Sequence, residues 1–427
     1  MSVLGLDIGT TTISAVVIED HTRQIQKTVT LPNPGFLPTP SSWERIQDAE
    51  AICDISAKLI ERISAEYPLR CVGLSGQMHG VVPLDSDGRA VGPLYTWQDA
   101  RAAQTDEGVA LTDYLTERTG TRVCAGYGLG TLVWNAQKAI HPHAAQAATI
   151  GSFLAMRLTG KKSALIHASD AASLGGYDLL NNSFCAEALR LCPILPRVTT
   201  DFAWIGDYHG IPVAVSLGDN QASVYGAVGT DRTRAMINLG TGGQVSLIHD
   251  EPLSGTFEPR PYVDGLYLLV RCSLCGGRSY ALLEEFLRAC ASLCGVRTEK
   301  PLYDAMNRLA DETESGGLIV DTRFEGTREE PERRGAITGL SSANFTPACL
   351  IRGVLEGMTE ELYSGFRDIT QHIGRLPSRL IGSGNAIVLN PALQNIISKR
   401  FALPMDVPDV QETAAFGAAV YAQSHMD

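Results

Sequence analysis

No stretch of the 427-residue sequence holds enough consecutive apolar residues to cross a bilayer, and no basic segment leads into an apolar core near residue 1. Neither a membrane span nor a secretory route is expected, and cytoplasmic residence is. Positive charge is short: 35 Lys and Arg stand against 47 Asp and Glu, a net charge of −12. That balance excludes broad binding to nucleic acid or to an anionic membrane, while leaving room for a local cationic pocket. Low-complexity linkers are missing as well. Ten cysteines lie scattered without the spacing of a disulfide framework. Four of them, Cys272, Cys275, Cys290 and Cys294, have a C-x2-C then C-x3-C spacing that a zinc site could use. The apolar company of Cys290 and Cys294 (Leu282, Leu283, Phe286, Leu287, Leu293) predicts instead reduced thiols in a core.

What is present is a repeat. The sequence reads Leu6-Asp7-Ile8-Gly9-Thr10-Thr11-Thr12 near its start, and Ile237-Asn238-Leu239-Gly240-Thr241-Gly242-Gly243 past its middle. Each copy is an apolar strand, a tight Gly/Thr turn and a second alternating strand. Such turns present consecutive backbone N–H groups and short hydroxyls, which suit phosphate oxygens. Two copies predict two related halves gripping one polyphosphate. A chain of this length exceeds one ordinary core, and an apolar content of 44% with 19% charge is that of a globular protein.

Strands alternate with helices, as in α/β domains. Hydrophobic spacing predicts strands over 3–7, 12–19, 23–31, 70–74 and 379–381. It predicts helices over 48–66 (Ile52, Ile55, Leu59, Ile63 on one face), 348–369 and 391–400. The duplication extends further. Ser75-Gly76 and Ser383-Gly384 each follow a short strand, and 222–228 and 414–420 are both helices of small residues that permit close approach. The boundary is placed near 228–234, giving domains 1–229 and 230–427. The charged, turn-rich stretch 323–335 reads as a solvated loop.

Three groups carry chemistry. Asp7 closes the first strand beside the phosphate turn, where a carboxylate suits Mg²⁺, held directly or through water. Thr10, Thr11, Gly240, Thr241 and Gly242 are the candidate phosphate contacts. Asp219, at a strand end and helix start in Gly218-Asp219-Asn220-Gln221, is the candidate general base for an attacking hydroxyl. Gln77, Met78 and His79, with Trp97, Asp99 and Arg101, combine planar polar groups with an aromatic face, as a polyol pocket requires. A nucleotide-binding ATPase or regulator without sugar chemistry would keep the turns but would not need this polar set.

The strings LGLDIGTTT, SGQMHG, TWQDAR, SLGDNQASVYGAV, INLGTG, IGSGNA and ETAAFGAAVYA, spread over essentially the whole chain, resemble the FGGY carbohydrate kinases. The resemblance implies two ribonuclease-H-like domains of the actin-like ATPase fold flanking a deep cleft. ATP is then held mainly by the C-terminal domain and sugar mainly by the N-terminal one. By position, Asp219 matches the family's catalytic aspartate and Asp7 its Mg–phosphate aspartate. Gly384 and Asn385 fall in the adenosine motif, and Gln77, Met78, His79, Asp99 and Asn220 match sugar contacts. The segments SGQMHGVV, TWQDAR, GYGLGTLVW, GDNQASVY and FALPMDV are most similar to members acting on a seven-carbon ketose, with pentulose kinases the nearest rivals. The implied cofactors are ATP and Mg²⁺, the implied partners are small molecules alone, and a monomer or homodimer is expected.

Overall fold

The computed structural model describes all residues except 107, 298, 328, 329, 331 and 427. The chain forms two compact units. One comprises Met1–Gly229 with Arg260–Tyr267 and the residues from Val410 onward; the other comprises Thr230–Pro259 and Leu268–Asp409.

The first unit is built on a six-stranded sheet in the order Trp204–Tyr208, Ile211–Gly218, Leu69–Gly76, Ser2–Ile8, Thr12–Glu19, Ile25–Pro32. Ser2–Ile8 runs parallel to Leu69–Gly76 and antiparallel to Thr12–Glu19. These central strands are apolar on both faces (Val3, Leu4, Leu6 and Ile8 are all buried), as a sheet covered on both sides demands. Helix Ala49–Glu66 covers one face through Ile52, Leu59, Ile60 and Ile63. Asp48 caps it, accepting from Ala51 N–H at 3.0 Å.

The second unit repeats the plan. Its strands include, in the order they pair, Gly243–His249, Arg234–Leu239, Arg379–Ser383 and Met405–Asp406. Arg234–Leu239 is antiparallel to Gly243–His249 and parallel to Arg379–Ser383, matching the pairings of Ser2–Ile8. The register carries the repeat to single residues: Asp7 pairs with Ser75, and Asn238 pairs with Ser383. The 27-residue helix Pro347–Ile373 packs Val354, Leu355, Met358, Leu362 and Phe366 into the core of this unit; Thr346 caps it.

One sequence expectation needs correction: of the four cysteines in and beside helix Gly276–Leu293, three are not buried in a core. Cys275 is buried, Cys272 and Cys290 are half-buried, and Cys294 is exposed. The helix packs through Gly276, Ser279, Tyr280 and Glu284, so its apolar residues Phe286 and Leu293 face outward, Leu293 with 87% of its surface exposed. No group of three or more His, Cys, Asp or Glu among the described residues is arranged to hold a metal ion. The 323–335 stretch carries no helix or strand among its described residues and joins the paired strands Ile319–Asp321 and Ala336–Thr338. Part of it is tied down: Arg323 forks onto Asp321 at 2.6 and 2.7 Å, and Arg333 reaches the same carboxylate at 3.0 Å. Residues 328, 329 and 331 of this stretch lie outside the described residues. Among the described residues, no helix is long and apolar enough to cross a membrane.

The two helices of small residues, Asp219–Val228 and Thr413–Gln423, both belong to the first unit and pack on each other. A Cβ on Gly417 would stand 1.7 Å from the Ala222 carbonyl oxygen, a backbone atom with nowhere to go. Gly417→Ala is therefore expected to lose about 3 kcal/mol or more of unfolding free energy. Gly240→Ala, at a position with nothing within 4 Å, should change stability by less than ~0.5 kcal/mol. Urea denaturation of both variants reads the contrast, and equal midpoints would refute the close-packing argument.

Candidate active site

Strand ends of the first sheet bring the acidic groups together. Asp7 is the last residue but one of Ser2–Ile8, and Asp219 opens the helix after Ile211–Gly218, with Gly218 as its cap. Asp7 accepts from Ser75 Oγ at 2.9 Å. Removal from bulk water pushes its carboxyl up to about 7, and the charge of Asp219 adds to the rise, followed by Glu412. Asp219 is likewise raised by desolvation. The Asn220 N–H, which its Oδ1 accepts at 2.7 Å, and the nearby Arg260 guanidinium pull the other way. Arg260 Nη1 also donates to Asn220 Oδ1 at 3.2 Å. Asp7 and Asp219 thus stand at the ends of two strands of one sheet, close enough for the charge of Asp219 to act on Asp7.

Behind Asp219 lies a fully buried polar chain. Gly218 N–H donates to Ser169 Oγ at 3.0 Å, and that hydroxyl lies 2.9 Å from His167 Nδ1. Because Nδ1 accepts from Ser169 N–H at 3.1 Å it carries no hydrogen, so the serine hydroxyl donates to it. Burial pushes His167 down to about 4, so the ring is neutral at pH 7. Asp170, on the same short helix, accepts from Thr149 Oγ1 at 3.2 Å; burial raises it well above the ordinary carboxyl range and the charge of Asp219 adds to the rise.

The polar set from 77 to 101 divides in two. Gln77 N–H is fixed to Ile8 O at 3.1 Å, and its side chain is buried. Met78 is buried against Gly218. His79 stacks on Tyr127 with ring centroids 4.7 Å apart and 12° between planes. Its Nδ1 lies 2.7 Å from the Ser173 carbonyl, an acceptor that only an N–H can serve, so that nitrogen carries a proton. Trp97 leaves 48% of its surface exposed and donates its indole N–H to Thr10 Oγ1 at 2.9 Å, tying its loop to the first Gly/Thr turn. Asp99 is different. It is fully buried, Arg101 forks onto it at 2.6 and 3.0 Å, and the N–H groups of Arg45 and Arg101 take the remaining lone pairs at 3.0 and 3.2 Å. Arg101 also lies over the Tyr95 ring, 4.0 Å from its centroid. Asp99 thus braces the loop that presents Trp97.

In the second unit, Gly240, Thr241 and Gly242 form the turn after Arg234–Leu239, with Gly240 and Thr241 exposed. The start of helix Gly276–Leu293 backs it: Gly277 N–H donates to Gly240 O at 2.9 Å, and Arg278 N–H to Thr241 O at 3.0 Å. Gly384 closes in from the neighbouring strand with φ +86°, where a Cβ would meet the Leu239 carbonyl at 2.4 Å; only glycine fits. Asn385 follows it, exposed at the start of a short helix.

Sequence reasoning did not single out Asn33, Gln47, Tyr127, His167, Asp170 or Arg260. Tyr127 had a signal, since it sits in GYGLGTLVW; the others are single polar residues in unremarkable surroundings.

Over its whole length the chain has the fold of known kinases. It superposes on gluconate kinase from Lactobacillus acidophilus with a TM-score of 0.83 at 20% identity, covering 99% of this chain and 89% of that one. Two sheets of one plan, each ending in a Gly/Thr turn, are the two domains of the actin-like ATPase fold. The chain belongs to the FGGY family of carbohydrate kinases: residues 2–226 match its N-terminal domain and residues 235–426 its C-terminal domain. It is an ATP-dependent sugar kinase. Sedoheptulokinase of Mus musculus is 26% identical, with 98% of this chain and 96% of that protein covered. Xylulose kinase of Klebsiella pneumoniae is 27% identical, with 90% and 82% covered.

The neutral, buried His167 has a measurable consequence. Its folded value lies below the unfolded one of about 6.5, so the unfolded chain binds the extra proton and stability falls as pH drops from about 6.5 to about 4. The group alone accounts for roughly 3 kcal/mol over that window. His167→Asn keeps an acceptor for Ser169 N–H and removes the titration. Urea unfolding at pH 7 and pH 4.5 should show a shallower acid loss in the variant than in the parent; identical losses would contradict a buried neutral ring.

Proposed function

We propose that the acceptor is a ketose and that the first choice is sedoheptulose, phosphorylated on its C7 hydroxyl to sedoheptulose 7-phosphate. The observation that carries the reading is the company of Asp219. The residue lies at a strand end beside Asp7, in a unit that also presents Gln77, Met78, His79, Trp97 and Asn220. Full-length similarity to sedoheptulokinases of Mus musculus and Homo sapiens supports the seven-carbon sugar. Similarity to xylulose kinase makes a five-carbon ketose the second reading.

The roles divide between the units. Asp219 takes the proton of the attacking primary hydroxyl, the task its raised carboxyl and its place at a helix start suit. Gln77, His79 and Asn220 offer hydrogen bonds to the sugar, Met78 and the exposed Trp97 face offer apolar contact, and Asp99 holds the loop bearing Trp97. Thr10 and Thr11 in the first unit, and Gly240, Thr241 and Gly242 in the second, take the phosphates; Gly384 and Asn385 take the adenosine side. The donor set fits Mg²⁺: a buried carboxyl raised by desolvation and by the charge of a second carboxylate is the arrangement a divalent cation relieves, and Asp7 is the residue that would hold it. Bound there, the cation would supply charge neutralisation at the phosphates.

ADP release with sedoheptulose, xylulose, ribulose, gluconate and glycerol tests the substrate. Sedoheptulose should give the highest kcat/KM, and a strong preference for xylulose would replace it with the second reading. ADP release that no sugar stimulates would remove both. Asp219→Asn should cut turnover about 10²–10⁴-fold with MgATP affinity within threefold. Near-parental turnover would end the assignment of Asp219 as base.

A further inference from the structure

Two buried amides stand behind the first phosphate turn, and neither belongs to a motif. Asn33 follows the strand Ile25–Pro32, and Gln47 lies two residues before the helix Ala49–Glu66. Between them they bond every peptide carbonyl of residues 9–11. Asn33 Nδ2 donates to Gly9 O at 2.9 Å, and Asn33 N–H donates to Thr11 O at 2.9 Å. Gln47 Nε2 donates to Thr10 O at 2.8 Å. In a planar trans peptide the C=O and the following N–H point in opposite directions. Carbonyls drawn toward Asn33 and Gln47 therefore turn the N–H groups of Thr10, Thr11 and Thr12 to the other side, the sense an anion requires.

The same bonds fix which way each amide faces. Only an NH2 can serve a carbonyl, so Gln47 directs Nε2 at Thr10 O and is left with Oε1 on its far side. That oxygen accepts from Gln77 Nε2 at 3.2 Å. Gln77 is then left with its own Oε1, which is buried and has no hydrogen-bond partner among the described residues. Gln47 Nε2 also lies 3.2 Å from Asn33 Oδ1. The result is a polarised line of amides, Gln77 to Gln47 to Asn33, that begins at an unsatisfied acceptor in the sugar-type loop and ends on the carbonyls of the phosphate turn. A buried acceptor without a donor is disfavoured until a donor arrives, and a sugar hydroxyl is such a donor.

We propose that Gln47 and Asn33 are positioning residues that couple sugar binding to the shape of the phosphate turn. A sugar hydroxyl donating to Gln77 Oε1 fixes that amide, the amide holds Gln47, and Gln47 with Asn33 holds the 9–11 turn with its N–H groups outward. The sugar half of this inference rests on the reading of Gln77 as a sugar contact given under Proposed function.

The experiment is calorimetry of the full chain with the magnesium complex of AMP-PNP, with and without a saturating ketose from the panel above, alongside steady-state kinetics. The variants are Gln47→Met, which keeps volume and loses every bond, and Asn33→Asp, which keeps Oδ1 and sets an oxygen against Gly9 O. In the parent, sugar should tighten nucleotide binding at least fivefold. In Gln47→Met that factor should fall toward one and kcat should drop at least tenfold, with the sugar KM within threefold. Asn33→Asp should behave alike and serves in its place should Gln47→Met fail to fold. A coupling factor and kcat within twofold of the parent in both variants, or no coupling in the parent, would overturn the inference. Should no sugar bind the parent, the substrate reading fails separately, and nucleotide affinity alone decides here: a loss of fivefold or more in the variants supports the positioning role, and unchanged affinity overturns it.

Discussion

A turn that offers its N–H groups to an anion must first dispose of its carbonyls. Leaving a buried carbonyl unpaired costs about 1–3 kcal/mol, and each Gly/Thr turn has a backing of donors. The two units meet this demand with different materials. In the first, the side-chain amides of Asn33 and Gln47 and the main-chain N–H of Asn33 supply the donors, and Trp97 bonds the Thr10 hydroxyl. In the second, the main chain at the start of helix Gly276–Leu293 supplies them, through Gly277 and Arg278. A backing of main-chain amides ties the turn to one helix and to nothing else. A backing of side chains can be wired onward, and in the first unit it is, to the loop bearing Gln77. The duplicated motif is thus symmetric in its strands and asymmetric in what stands behind them.

Electrostatics separates the two units in the same way. The first turn has Asp7 at the strand end where the second has Asn238, while the serine across the sheet is kept in both, Ser75 and Ser383. Exchanging a carboxylate for its amide leaves shape and removes charge. Around Asp7 the first unit gathers further acid: Asp219 and Glu412 both push Asp7 upward, and Asp170 lies buried close enough to feel Asp219. Against this stands Arg260, whose guanidinium lowers Asp219 and bonds Asn220. Asp7, Asp170, Asp219 and Glu412 all lie on the unit with the polar set of residues 77–101.

Local pattern made much of this legible in the sequence. The paired motifs, the apolar central strands, the capped helix beginning at Ala49 and the position of Asp219 at a strand-to-helix junction all follow from spacing within a dozen residues. The residues that escaped notice are those whose meaning is a distant partner. Gln47 looks like a surface residue before a helix until Thr10 and Gln77 are placed on either side of it. His167 reads as an isolated histidine until Gly218 arrives through Ser169. Asp99 shows the converse: its loop was found by pattern, yet its neighbour Arg101 takes the carboxylate. The outward face of helix Gly276–Leu293 failed for a related reason, since apolar spacing marks a helix but does not say which of its residues find a partner.

The helix Thr413–Gln423 sits within van der Waals reach of the backbone of Asp219–Val228 and completes the unit that begins at Met1, whereas the other unit draws all its residues from between Thr230 and Asp409. On the ribosome, where chain emerges from the N-terminus at about 5–20 residues per second, the order of completion is therefore inverted. The part translated first must wait, with the apolar surface meant for that last helix uncovered, while the part translated second already has everything it needs. Completing the acid-bearing unit is then a closure reaction in which Thr413–Gln423 packs on Ser2–Ile8, segments some four hundred residues apart in sequence.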